Sequence, residues 1–322
     1  MLFIFVCILL TGCSLISQQK FEELDMISYE TINYTKLSYR GEFYAASLCV
    51  TNDDVVKTTF VPSENVGKMG LFDLNKKEVL HAKDIHNTLY PASTTKVMTA
   101  LVALEYGNLD DMVTVSRTAA AASFNPGEQV CGLKEGEQVS LIDLLNGLIL
   151  YSGNDTAMAI AEHISGGDVR QFYELMNQKA KDLLATNTYF VNPHGLHDDD
   201  QYTTVYDLYL IFNEAIQNEL FLEIIGKSSH MMQLTDAVGN TRKIECKPTN
   251  YYSLGEVAQP SVARVVGGKT GTTREAGSCV ILYEVDAENN PYISIIMGAS
   301  TKQRLYSQMT NLIDSIATPI EQ

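Results

Sequence analysis

The sequence predicts a mixed fold of the α/β (α+β) kind, and three observations carry that expectation. From Val97 to Leu104 nearly every residue is apolar or small, so a helix entered at Pro91 has no solvent face and belongs inside a domain. Two apolar stretches flank Asp73-Leu-Asn-Lys-Lys77 within Lys68–His81, the pattern of a hairpin feeding a core sheet. Towards the C-terminus, Val262–Val266, Gly277–Val285 and Tyr292–Gly298 have strand character and are followed by a helix over Gln303–Ile316.

The remaining elements follow in chain order. Met1–Leu10 is apolar but short for a bilayer span, and Leu10-Thr-Gly-Cys13 resembles the bacterial lipoprotein cleavage box. Residues 1–12 are therefore expected to be an export signal, Cys13 the lipidated residue, 13–41 a polar tether and 42–322 the folded domain. The absence of Lys or Arg before Cys13 departs from the usual signal pattern. Glu42–Val50 and Val55–Val61 read as strands. After Gly107-Asn108 stops the buried helix, Val113–Gln138 is punctuated by glycine and proline. Leu141–Leu150 has helical spacing, Tyr151-Ser-Gly-Asn154 breaks it, and Asp155 is expected to cap a helix over Ala157–Ile164 that stops at Gly166-Gly167. Gln171–Leu184 is an amphipathic helix. Phe190–Leu196 is a turn-rich connector, leading to a helix over Thr204–Asn213.

Composition narrows the function classes. The 322 residues are 45% hydrophobic, which supplies a sizeable core, and the formal charge of −16 with no Lys/Arg cluster excludes a nucleic-acid surface. Cys49, Cys131, Cys246 and Cys279 are widely spaced with no Cys-x-x-Cys pair, so no zinc ribbon or redox motif is present; disulfides and free thiols both remain open. His194, His197 and Asp198–Asp200 cluster, but their spacing fits no zinc signature and reads as a solvated loop. No metal and no cofactor are expected.

Three short motifs carry chemistry. Ser93 and Lys96 lie three apart at the start of the buried helix and so on one face, where burial lowers an ammonium pKa and allows the amine to take the serine proton. Ser152 and Asn154 occupy a loop clasped between two apolar helices, offering a hydroxyl for proton relay and an amide for substrate or lysine. Lys269-Thr270-Gly271-Thr272 follows a strand. Its lysine suits a substrate carboxylate, its hydroxyls add donors, and the Thr272 N–H is placed to share an oxyanion hole with that of Ser93. Singly each is weak: Ser-x-x-Lys recurs at Ser17–Lys20, and Ser-x-Asn at Ser63–Asn65 and Ser123–Asn125. A phosphate loop at Gly268-Lys-Thr270 is rejected, because Arg264 stands where glycine is required and a strand follows.

Taken in order, Ser93-x-x-Lys96, Ser152-Gly-Asn154 and Lys269-Thr-Gly271 resemble the penicillin-recognising serine enzymes. Pro91–Thr99, Asp143–Asp155, Phe190–Leu196 and Lys269–Thr273 with Ala276-Gly277 resemble the D-alanyl-D-alanine carboxypeptidase family in particular. The resemblance implies a β-lactamase/transpeptidase-like fold: an antiparallel sheet flanked by helices beside a mostly helical lobe, with the site in the groove between them. It also implies removal of the terminal D-Ala from peptidoglycan stem pentapeptides through an acyl-enzyme on Ser93, with β-lactams as covalent inhibitors. Lys96, Ser152 and Lys269 are then the other catalytic residues, and Asn154, Thr270, Gly271 and Thr272 bind substrate. Relatives often carry a further β-rich domain and an amphipathic anchor helix; lipidation of Cys13 would take that anchor's place and hold the protein at the outer face of the bacterial cytoplasmic membrane or in the cell wall. The alternatives are a class A-like β-lactamase, disfavoured by Gly153 and by the lack of a carboxylate over 183–197, and a non-catalytic wall-binding lipoprotein.

Overall fold

The computed structural model describes residues 44–64 and 66–319. The expected signal 1–12, Cys13 and the whole of the tether 13–41 lie outside the described residues. The chain divides into Met1–Ala46 and Ser47–Gln322, and the second unit holds every strand and α-helix described. No described helix is long and apolar enough to cross a membrane.

The first stretch corrects an expectation. Tyr44–Ser47 forms a 3₁₀ turn where a strand is expected over Glu42–Val50; its two alanines favour a helical turn over a pleated strand. Of Val55–Val61, only Val55–Val56 (β1) joins a sheet, pairing with Ala82 and His81. The hairpin forms as its pattern demands. Lys68–Asp73 (β2) and Glu78–Lys83 (β3) pair antiparallel, and Lys76 N–H donates to Asp73 Oδ1 at 2.8 Å across the turn.

The buried helix, α1, spans Lys96–Tyr106 with residues 96–103 all buried. Met112–Thr114 (β4) and Gln138–Ser140 (β5) follow, then Leu141–Asn146 (α2), Asn154–Ile164 (α3), Val169–Asp182 (α4), Val205–Ala215 (α5) and Glu219–Gly226 (α6). Helix α1 packs against α3, α4 and α5 at the centre of this helical lobe. His230–Thr235 (β6) and Thr241–Cys246 (β7) complete a second sheet of order β4-β5-β6-β7. Helix α6 and strands β6 and β7 are not among the elements expected from sequence, although Met232 and Leu234 alternate with exposed residues as a half-buried strand requires.

Tyr251–Leu254 (α7) precedes the long strands Ala263–Thr273 (β8), Gly277–Asp286 (β9) and Pro291–Ala299 (β10), and Lys302–Asp314 (α8) ends the fold. The main sheet is antiparallel throughout, in the order β1-β3-β2-β10-β9-β8. One face, with Phe72, Cys279, Ile281, Ile293 and Ile295, packs on the helical lobe. The other, with Leu71, Val280, Leu282 and Ile296, is covered by Leu305, Met309 and Leu312 of α8. Strand β8 therefore forms an edge of the sheet, with its inner face turned towards the helical lobe.

Candidate active site

Each of the three motifs is presented by backbone that an ordinary helix or strand would not supply. Ala92 is left-handed at φ 48°, and Ala92–Thr95 forms a 3₁₀ turn before α1 begins, so Ser93 sits on a constrained corner ahead of the buried helix. The 141–150 helix ends as a π-turn over Gly147–Tyr151, and Ser152 follows in the left-handed region at φ 66°. Gly153 is forced. A Cβ there would lie 2.7 Å from both Cys131 Sγ and Asp155 Oδ1.

The third motif depends on a bulge. The β8–β9 register slips between Val265 and Gly267, which inserts one residue and exchanges the faces of the strand. Val265 lies opposite Glu284 on the α8 face; beyond the bulge, Lys269 lies opposite Ile281 and Gly271 opposite Cys279, on the face turned to the helical lobe. Gly271 lets the strand reach the nucleophile turn, since a Cβ there would come within 2.9 Å of Ser93 N and 3.1 Å of Thr94 N. Gly267 likewise approaches α6 too closely for any side chain, with its Cβ position 1.9 Å from Ile225 O.

These segments converge. Lys96 Nζ donates to Ser93 Oγ at 3.0 Å, to Asn154 Oδ1 at 2.7 Å and to the His194 carbonyl at 2.6 Å. Lys269 Nζ donates to Ser152 Oγ at 2.8 Å and to the Thr270 carbonyl at 2.8 Å. Ser93, Ser152, Thr270, Gly271 and Thr272 all line one cavity of about 140 Å³. Every site residue expected within the folded domain thus belongs to one constellation, and Cys13 lies outside the described residues.

Both lysines are fully buried, and neither has a carboxylate as a hydrogen-bond partner. Burial, reinforced by the neighbouring Lys269 charge, holds the Lys96 ammonium well below the ordinary lysine range, while Asp155 opposes the shift. Burial brings Lys269 down to about 7. A primary amine whose ammonium form is disfavoured by burial beside a serine hydroxyl is competent to remove its proton, and a second amine joined to another hydroxyl forms a proton relay across the cleft.

Several residues of the site were not legible in the sequence. Gln129, Thr249, Tyr251 and Lys302 line the same cavity, and Thr249 Oγ1 and Thr270 Oγ1 share a hydrogen bond at 2.5 Å. They come from two separate loops and the first residues of α7 and α8, with no motif to mark them. Asp155 does not cap its helix, which starts at Asn154 after Gly153. Its buried carboxylate accepts from the N–H groups of Cys131, Gly132 and Leu133 at 2.8–3.0 Å, tying that segment beside the site. The solvated loop expected around His194 is also corrected. Asp198–Asp200 are exposed, but His194 is buried, its ring packs edge-on to Phe124, and burial lowers its pKa to about 3. Among the described residues, no three His, Cys, Asp or Glu side chains stand together to hold a metal. Cys49, Cys131, Cys246 and Cys279 are free thiols.

The chain is similar to several known proteins. The chain is 32% identical over 252 residues to the D-alanyl-D-alanine carboxypeptidase DacF of Bacillus subtilis, covering 76% of this chain and 60% of that one. It spans 60–66% of the length of the first curated relatives it matches. Among solved structures, a D-alanyl-D-alanine carboxypeptidase from Mycobacterium tuberculosis superposes with a TM-score of 0.70 at 28% identity, covering 82% of this chain and 96% of that one. A Streptomyces DD-transpeptidase shares the fold at a TM-score of 0.73 and 24% identity, covering 80% and 100%. The family profile described as D-alanyl-D-alanine carboxypeptidase matches residues 55–301, most of the chain, and this protein belongs to that family.

Proposed function

We propose that this protein is a serine-type D-alanyl-D-alanine carboxypeptidase that removes the terminal D-Ala from peptidoglycan stem pentapeptides through an acyl-enzyme on Ser93. The observation that carries the reading is the contact between Ser93 Oγ and the amine of a fully buried, charge-depressed Lys96. Lys96 takes the Ser93 proton as Oγ attacks the penultimate D-Ala carbonyl, and the N–H groups of Ser93 and Thr272 receive the developing oxyanion. As the tetrahedral centre collapses and the C–N bond breaks, Ser152 protonates the departing amine and recovers a proton from Lys269. Lys269, Thr270 and Thr272 hold the terminal carboxylate, Gly271 keeps the strand close to Ser93, and Asn154 binds the substrate amide while contacting Lys96. Water then resolves the ester.

β-Lactams enter the same path and acylate Ser93. Mass spectrometry of the full chain after mixing with benzylpenicillin tests this: a stoichiometric adduct on Ser93, absent from Ser93→Ala, is the expected result. No adduct under any condition would leave a non-catalytic binder. Rapid steady-state hydrolysis of nitrocefin would favour the β-lactamase reading instead. Export and attachment through lipidated Cys13, with 13–41 as tether, complete the proposal; their support is the Leu10-Thr-Gly-Cys13 box. Metabolic labelling with a radioactive fatty acid, retained by the wild type and lost in Cys13→Ala, is the corresponding test.

A further inference from the structure

A neutral amine has two N–H bonds and one lone pair, and the three partners of Lys96 Nζ are not equivalent. Asn154 Oδ1 and the His194 carbonyl only accept, so each must take an N–H. Ser93 Oγ is the one partner with a proton to give. When Lys96 is uncharged, its lone pair is therefore directed at Ser93, provided both acceptors stay in place. An Asn side chain can rotate its amide end for end, whereas a backbone carbonyl is fixed by the turn that carries it. The aim of the base thus depends on what holds His194 O.

That turn is held from behind by Gln201, which is 1% exposed. Gln201 Oε1 accepts from the N–H groups of both Val191 and Asn192 at 3.0 Å. Its Nε2 donates to Asn192 Oδ1 at 3.3 Å and to Thr95 Oγ1 at 3.4 Å, next to Lys96 in the chain. Asn192 Oδ1 in turn accepts from Gly195 N at 2.7 Å, and Thr99 Oγ1 on α1 donates to Pro193 O at 2.6 Å. Gly195, at φ 85°, packs so closely that a Cβ would lie 1.8 Å from Ala92 O. We infer that Gln201 is a positioning residue for acyl transfer: its buried amide fixes the Val191–Leu196 turn against the nucleophile helix, so that His194 O occupies one N–H of Lys96 and the lone pair faces Ser93. The inference rests on the acyl-transfer reading above. It extends that reading to a residue that does not line the cavity.

The carboxylate site belongs to β8, on the opposite wall, so the inference separates binding from chemistry. In quenched-flow acylation of the full chain by benzylpenicillin, the dependence of rate on concentration yields the dissociation constant of the non-covalent complex and the acylation rate constant. For Gln201→Met, the acylation rate constant is expected to fall about 10- to 100-fold, as a displacement near 1 Å in such a site does. The dissociation constant stays within about twofold, and every molecule is eventually acylated. Should the methionine variant not fold, Gln201→Asn, one methylene shorter, withdraws the same oxygen from the two N–H groups and carries the same expectation. An unchanged rate constant, a dissociation constant that rises in step with the loss, or a loss confined to the acylable fraction overturns the inference and leaves Gln201 as a packing residue. A wild-type chain that forms no adduct overturns the acyl-transfer reading and this inference with it, so the two failures are distinguishable.

Discussion

Lys269→Met isolates the cost of placing an amine in this cleft. The side chain is fully buried, and burial moves its pKa from 10.5 to about 7. Between those values the unfolded chain holds a proton that the folded chain lacks, so stability rises with pH there. At about 1.4 kcal/mol per pH unit, the whole window amounts to about 5 kcal/mol, all of it lost at or below pH 7. Methionine keeps the unbranched apolar stem and removes the charge. It also leaves Ser152 Oγ and the Thr270 carbonyl without their lysine donor, at about 1–3 kcal/mol each, but that cost does not depend on pH. Urea unfolding of both proteins at pH 7, 8 and 9 should therefore show the difference, wild type minus variant, growing in favour of the wild type by about 1.4 kcal/mol per unit. A difference that stays flat across these pH values would refute burial as the origin of the low Lys269 pKa.

The same titration governs substrate. Affinity for a carboxylate-terminated peptide should fall by up to about tenfold per pH unit above about 7, as Lys269 loses its charge, while an amidated peptide should show no such fall; equal slopes contradict the carboxylate role. For the same reason Lys269→Ala should cost the carboxylate substrate more kcat/KM than the amide. Gly195→Ala combines a left-handed backbone with a Cβ 1.8 Å from Ala92 O, so it should lose at least about 2 kcal/mol in denaturant unfolding and slow acylation by more than tenfold. Retention of wild-type values would show that the turn relaxes freely. Glu284 is fully buried in the main sheet with Oε2 unpartnered, and burial pushes its carboxyl well above 4.5. The folded state then keeps a proton that the unfolded state loses, so stability falls as pH rises from about 4.5 towards the folded pKa. Glu284→Gln should remove that slope and be the more stable protein at pH 7, as thermal melts at pH 5 and pH 7 would reveal.

Much of the site was legible in the sequence because its chemistry is local. Ser93 and Lys96 stand three apart, a spacing that brings their side chains together across the 3₁₀ turn into α1 as it would along a helix, and the apolar residues that follow bury the amine and hence weaken the ammonium. The hairpin, the long C-terminal strands and the last helix likewise follow from patterns of period 2 and 3.6. Asp155 was misread because an acidic residue at a helix start has two uses, capping its own helix or clamping a distant loop, and only the location of Cys131–Leu133 distinguishes them. His194 was misread because the polar run beside it resembles a surface loop, whereas its own carbonyl is turned inward by Gln201 and Gly195.

The amino-acid sequence by itself determined which residues to expect at the site, a candidate nucleophile with an amine three residues on and two further motifs, since each is a few residues long and is recognised by its residue types and spacing. What only the tertiary structure decided is the direction in which Lys269 points. Strand side chains alternate, so Val265 and Lys269, four apart, would share a face of a regular strand, and Lys269 would lie under α8, away from Ser152. The single extra residue between Val265 and Gly267 reverses that phase. A bulge is a property of how β8 pairs with β9, and such pairing exists only once the sheet has formed.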